Sequence, residues 1–243
     1  MIRQTAVLRT LSVAALVGAL ALSGCSSTGS SSSAGAAKAD APNETELKSL
    51  DTPKVAPTRT GEVYLMRGLM DIFSRGMDVI AVKINRSGVY AVSTSYTQWQ
   101  ELADNIIARD KAGKVSYPVI IMGHSLGAND ASKMASYLGN RGVKVSYVVM
   151  FDPTEPGYVG KNVGKVVNYY IPNGDNRVYK GSGFSGSLQN VSMSNREDIT
   201  HTTIEKNPGL QARVIGEVMA LTKKKTEKKV SKKPVKKEVA VEG

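Results

Sequence analysis

Three kinds of side chain in this sequence could together perform acyl transfer: a serine nucleophile, an imidazole base and a carboxylate to orient the base. Ser125 stands in Gly123-His124-Ser125-Leu126-Gly127. A serine hydroxyl is a weak nucleophile until a neighbouring base takes its proton. The chain has only two histidines, and His124 is committed to the pentapeptide. If an imidazole activates Ser125, the base must be His201. The carboxylate has two candidates. Asp152 closes the apolar run Tyr147-Val148-Val149-Met150-Phe151, and Asp175 lies in Asn173-Gly174-Asp175, which is also strong turn chemistry. Glu155 is a weaker third. Such a set works without metal or organic cofactor.

The elements flanking Ser125 suit that chemistry. Tyr117-Pro118-Val119-Ile120-Ile121-Met122 is a short run rich in β-branched residues and reads as a buried parallel strand. After the serine, Ala128, Ala131, Met134, Ala135 and Leu138 recur at helical spacing up to Gly139. Strand, Gly-x-Ser-x-Gly, helix resembles the nucleophile elbow of the α/β-hydrolases, in which a tight turn thrusts the serine out at the strand's end. His201 follows the last strand-like run, in keeping with that family's Ser…His order.

The resemblance implies more at other positions. Gly68-Leu69 looks like the Gly-x of the family's oxyanion motif, with Arg67 where a histidine usually precedes it. The hole is built from backbone amides, so Leu126 and Leu69 are the implied donors, with Met70 as an alternative to Leu69. Asp152-Pro153-Thr154-Glu155-Pro156 resembles the Asp-Pro-x-x-Pro stretch of pancreatic-type lipases, whose catalytic acid is that aspartate. Asp152 is therefore preferred over Asp175. The pentapeptide itself is similar to those of lipases, esterases and thioesterases, which implies hydrolysis of carboxylic esters, with thioesters as the alternative substrate. A reading from another class is a non-catalytic envelope lipoprotein that keeps the fold as a binding module.

The remaining pattern indicates an α/β fold. Residues 62–66, 89–94, 143–151 and 163–171 read as further strands; residues 72–84, 99–107 and 210–221 carry apolar residues at helical spacing. Alternation of this kind predicts a mostly parallel sheet of five to six strands with helices on both faces, a minimal α/β-hydrolase arrangement. Residues 154–162 leave no room for a helical lid. Residues 177–195, rich in Gly and Ser around Phe184, read as a long loop able to wall a pocket. The 152–163 connection is short for a parallel crossover, which leaves strand order there open.

Outside residues 61–222 the composition changes. Residues 1–24 combine Arg3 and Arg9 with an apolar stretch too short to span a bilayer. They end in Leu22-Ser23-Gly24-Cys25, which resembles the lipobox of bacterial lipoproteins and implies lipidation of Cys25, the only cysteine. Ser26 after it favours delivery to the outer membrane, facing the periplasm, in a Gram-negative cell. Residues 25–60 then form a Ser-, Gly-, Ala- and Pro-containing tether with no apolar period. Residues 223–243 hold 9 Lys and 3 Glu, a net of +6 out of the chain's +11. The basic character is thus concentrated in this tail, which argues against a nucleic-acid groove in the body. Anionic headgroups or an anionic envelope polymer are the partners such a tail would suit. A monomer is expected.

Overall fold

The structure, a computed structural model, describes residues 56–69 and 71–226. The expected leader, Cys25 and most of the lysine-rich tail lie outside the described residues, as does Met70.

The body opens with β1 (Glu62–Arg67), followed by a 3₁₀ turn at Ile72–Ser74 and α1 (Arg75–Arg86). Next come β2 (Tyr90–Ser95) and α2 (Trp99–Lys111), then β3 (Val119–His124) and α3 (Leu126–Asn140). The second half holds β4 (Val145–Phe151), β5 (Gly157–Val159), β6 (Val163–Tyr170), β7 (Val178–Lys180), β8 (Ser187–Ser192) and α4 (Pro208–Leu221). Pro208 at the first turn and the Asn207 side chain, which accepts from the Leu210 amide at 3.1 Å, set the start of α4.

Six strands form one sheet in the order β2-β1-β3-β4-β6-β8, every pair parallel. Side chains along each central strand alternate between two apolar layers. Val63 and Leu65 of β1 join Ile120, Met122, Val149 and Phe151 beneath α1 and α4. Tyr64 and Met66 join Ile121, Val148 and Met150 beneath α2 and α3. Both faces are covered, which is why these strands read as nearly continuous apolar runs. The fold is α/β, with a parallel sheet between helical layers.

The chain runs from β1 outward to β2 and then returns to place β3 on the other side of β1. This reversal makes a switch point between the carboxyl ends of β1 and β3, where open α/β sheets hold ligands. The residues after these two strands are Gly68-Leu69 and Ser125.

Three features differ from the sequence expectation or fill in what it left open. Residues 177–195 are not a loop: they contain β7 and the sixth strand of the main sheet, β8. The 152–163 connection does return β6 parallel to β4, but through β5 rather than a helix. β5 pairs with β7 in a separate two-stranded ribbon. That ribbon is tied to α3, where Ser136 Oγ donates to the Tyr158 carbonyl and accepts from the Gly160 amide, both at 3.1 Å. A third difference is local. The apolar spacing starts at Ile72, but α1 itself starts at Arg75, and Ile72 and Phe73 are 61% and 52% exposed.

The ends of the described body lie side by side. The Thr60 amide donates to the Lys223 carbonyl and the Lys225 amide to the Thr58 carbonyl, both at 2.8 Å, with Arg59 opposite Lys224. The Arg59 guanidinium also donates to the carbonyls of Met219 and Thr222. This seam is at the amino end of the sheet. No described helix is long and apolar enough to cross a membrane.

Candidate active site

Ser125 sits between β3 and α3 with φ 57° and ψ −124°, a conformation that side chains rarely adopt. Its amide donates to the Phe151 carbonyl at 3.0 Å, which pins the turn to β4. The flanking glycines are required by space. A Cβ on Gly123 would lie 2.0 Å from the Gly127 carbonyl oxygen, and one on Gly127 would lie 2.3 Å from that of Met66 on β1. The strained serine is thus held by close backbone contact on both flanks.

His201 arrives on the segment between β8 and α4, just before a 3₁₀ turn at Ile204–Lys206. Its Nε2 lies 3.0 Å from Ser125 Oγ, and its Nδ1 lies 2.7 Å from Asp152 Oδ2. A carboxylate at Asp152 requires the proton on Nδ1, which leaves Nε2 free to accept from the serine hydroxyl. The Asp152 hydrogen bond holds the His201 imidazole above its ordinary pKa; burial opposes the shift, and the charges of Asp152 and Glu205 add to it.

Asp152 follows β4 with a positive φ of 48° and is buried. Its other oxygen, Oδ1, accepts from the Ile171 amide at 2.9 Å and from Asn176 Nδ2 at 3.1 Å. Both carboxylate oxygens are therefore fixed in direction. Asn176 in turn donates to the Ile171 carbonyl. Nearby, Asn129 of α3 exchanges two hydrogen bonds with Thr154, anchoring the segment that leaves Asp152.

The other candidate acids are placed elsewhere. Asp175 is exposed and engaged by Arg177 and Tyr179. Glu155 is exposed and pairs with Lys133. Neither is hydrogen-bonded to His201. Asn176, one residue beyond Asp175, is the member of that turn that reaches the site. Its turn-type neighbours concealed it, since Asn there reads as loop chemistry.

Leu126 is the first residue of α3, so its amide is one that a helix start leaves without an intrahelical partner. Leu69 follows the Gly68 amide, which donates to Ser74 Oγ at 2.9 Å. The loop carrying Leu69 is pinned by Arg67, whose guanidinium reaches Asp78 at 2.8 Å and Asp71 at 3.3 Å. Arg67 thus anchors this turn at the place where the resemblance leads one to expect a histidine. Leu69, Ile72 and Phe73 expose large apolar surface on this same loop.

Two buried polar groups near the triad geometry had no sequence signal. Ser74 Oγ lies 2.8 Å from His124 Nδ1, and the fully buried Glu205 lies 3.7 Å from His124 Nε2. They act through tertiary burial, which no local period encodes. Among the described residues no cluster of three or more His, Cys, Asp or Glu is arranged to hold a metal ion.

No protein-family model matches the sequence. No curated protein matches it either. Solved structures with a similar course include a protein from Xanthomonas campestris pv. campestris described as a hydrolase of the alpha/beta superfamily. It shares 15% identity, with 66% of this chain and 98% of that chain covered and a TM-score of 0.37. Est1E from Butyrivibrio proteoclasticus shares 12% identity over 68% of this chain and 89% of its own, with a TM-score of 0.44. The NocB thioesterase domain from the nocardicin cluster shares 11% identity over 67% and 93%, with a TM-score of 0.37.

Proposed function

We propose that this protein is a serine hydrolase of the α/β-hydrolase type that cleaves carboxylic esters through Ser125, His201 and Asp152. The observation that carries the reading is the unbroken contact chain from Ser125 Oγ through His201 to Asp152 Oδ2, at 3.0 and 2.7 Å. His201 takes the serine proton as Ser125 attacks the acyl carbonyl. Asp152 steadies the imidazolium that forms. The same imidazolium then protonates the leaving alcohol, and water attacks the acyl-enzyme with His201 again as base. Leu126 and Leu69 amides are the proposed oxyanion donors, a contribution of roughly 3–4 kcal/mol each. The exposed apolar side chains of Leu69, Ile72 and Phe73 favour an apolar acyl group.

The test is a fluorophosphonate label followed by turnover of p-nitrophenyl esters from acetate to decanoate. A Ser125 adduct, with turnover rising along the series, is the expected result. Folded protein that takes no label would instead support the binding-module reading.

Attachment to the membrane through a lipidated Cys25 is proposed on the sequence alone. Cys25→Ser should move the protein to the soluble fraction with turnover per molecule unchanged. The basic tail offers only screened electrostatics, whereas a lipoprotein anchor carries at least two acyl chains. Retention of Cys25→Ser in the pellet through a high-salt wash would overturn the lipobox reading.

A further inference from the structure

His124, the residue before the nucleophile, is almost fully buried, and both of its ring nitrogens are engaged. Nε2 lies 2.7 Å from the His201 carbonyl oxygen, which can only accept. The Nε2 proton is therefore committed, and a neutral ring leaves Nδ1 as an acceptor. Ser74 Oγ, 2.8 Å from Nδ1, accepts from the Gly68 amide at 2.9 Å and so has its own proton free to give. Every direction in the chain follows from its two ends. The Gly68 amide donates to Ser74, Ser74 donates to His124, and His124 donates to the backbone of His201.

This chain links the two loops that flank Ser125. One is the loop after β1 with the proposed oxyanion donor Leu69; the other is the segment that delivers the base. We propose that His124 is a positioning residue which, as the neutral Nε2–H tautomer, latches the His201 segment to the Gly68 loop through Ser74. The role rests on the acyl-hydrolase reading of this site. It is distinct from the work of His201, because His124 touches no reacting atom.

The surroundings of His124 keep the latch in one protonation state. Burial pushes its pKa down to about 4; the charges of His201 and Lys206 push the same way, while the hydrogen bond to His201 and the charge of Asp152 oppose. Glu205 Oε2 stands 3.7 Å from Nε2, beyond hydrogen-bond reach, so the proton faces the carbonyl. The groups facing His201 are Asp152 from the end of β4, Glu205 from the 3₁₀ turn, and His124 and Ser125 from the end of β3.

The experiment uses the full chain labelled with ¹⁵N-histidine, which gives only two rings to assign. One ring should remain the neutral Nε2–H tautomer through neutral pH and titrate only near pH 4. Two variants then split the latch. In His124→Asn the side-chain oxygen replaces Nδ1 and can still accept from Ser74, but the donor to His201 is lost. In His124→Gln the amide nitrogen replaces Nε2 and keeps that donor. Per fluorophosphonate-titrated site, His124→Asn should lower kcat about 10- to 100-fold with KM within about twofold, the scale of a misplaced catalytic group. The acid limb of its kcat/KM profile should move to lower pH as His201 loosens from Asp152. His124→Gln should restore most of both. Ser74→Ala, which removes a single hydroxyl, should show a smaller kcat loss and serves if the His124 variants do not fold. Parent-like kcat and acid limb in His124→Asn, or in Ser74→Ala if it stands in, overturn the latch alone, as does an Nδ1–H tautomer in the parent. A folded parent that takes no fluorophosphonate overturns the hydrolase reading and the latch with it.

Discussion

Each end of the sheet buries a glutamate, and the two are treated in opposite ways. At the amino end, Glu62 is bound on every side. Arg109 reaches both its oxygens at 2.9 Å, the Ser116 amide adds a bond at 2.8 Å, and the Tyr64 hydroxyl adds another. Burial alone would raise the Glu62 pKa, but these partners outweigh it and hold the carboxyl below its usual range. Turns at this end take positive φ on glycines, at Gly61, Gly88, Gly113 and Gly142, with Asn162 the tolerant exception. At the carboxyl end, positive φ falls on Asp71, Ser125 and Asp152 as well as on Gly174. Glu205 there is fully buried, and among the described residues neither of its oxygens has a hydrogen-bond partner. Burial raises its pKa to about 7. Positive φ on residues other than glycine and a buried carboxyl without hydrogen bonds are rare where only stability is at stake. They are kept where a particular side chain must point a particular way.

If that division is right, substitutions at the two ends should separate activity from stability. The largest effect belongs to Ser125→Ala and His201→Ala, each expected to cut ester turnover by about 10⁴-fold or more with a urea midpoint near the parent's. Near-parent turnover in either variant breaks the comparison at its root. Asp152→Asn should cost about 10³- to 10⁴-fold because the imidazole loses its oriented partner. Asp175→Asn should stay within about twofold, and the opposite ranking would move the acid to the later turn. The parent's kcat/KM should fall as pH drops through an inflection above 6.5, since His201 works only when neutral and its pKa is raised.

At the amino end the expected loss is of stability. Arg109→Ala leaves Glu62 buried without its main partner, at a cost of about 2–4 kcal/mol, with turnover per titrated site within about twofold. Denaturant titration beside active-site titration checks both halves, and a turnover loss per site would join the two ends that the comparison separates.

Glu205→Gln gives the smallest effect and a definite sign. A carboxyl raised from 4.5 to about 7 binds more protons folded than unfolded, so its burial costs nothing below pH 4.5 and costs progressively more up to about pH 7. The Gln variant should therefore match the parent at pH 4.5 and exceed it by on the order of 1–3 kcal/mol above pH 7. Equal stability at both pH values would mean that the unfavourable charge is compensated after all.

What the sequence makes readable follows from where the information is stored. β3 and α3 around Ser125 are local patterns, a β-branched run and a helical period joined by glycines that leave no room for a Cβ. Asp152 sits at the end of an equally plain run. His201 is found by counting, since the chain offers no other imidazole outside the pentapeptide. β8 leaves no clear pattern because an edge strand with one neighbour needs little apolar surface; Leu188 and Val191 are its only large apolar residues. β5 and β7 are three residues each, too short to show a period. Asn176, Ser74 and Glu205 carry their roles through burial against distant strands, and nothing in their immediate neighbours marks them. Ile72 and Phe73 fit the helical spacing but face solvent, because the chain first makes a 3₁₀ turn to bring Ser74 under the Gly68 amide.

The seam between residues 58–60 and 223–225 bears on how the molecule can be held. Both strands of the seam meet at the amino end of β1, a strand's length, roughly 20 Å, from the carboxyl end where Ser125 lies. A bead, a fusion partner or a surface joined at residue 58 or residue 225 grips the protein on the side turned away from its chemistry. Two links placed there load the same seam instead of pulling across the sheet.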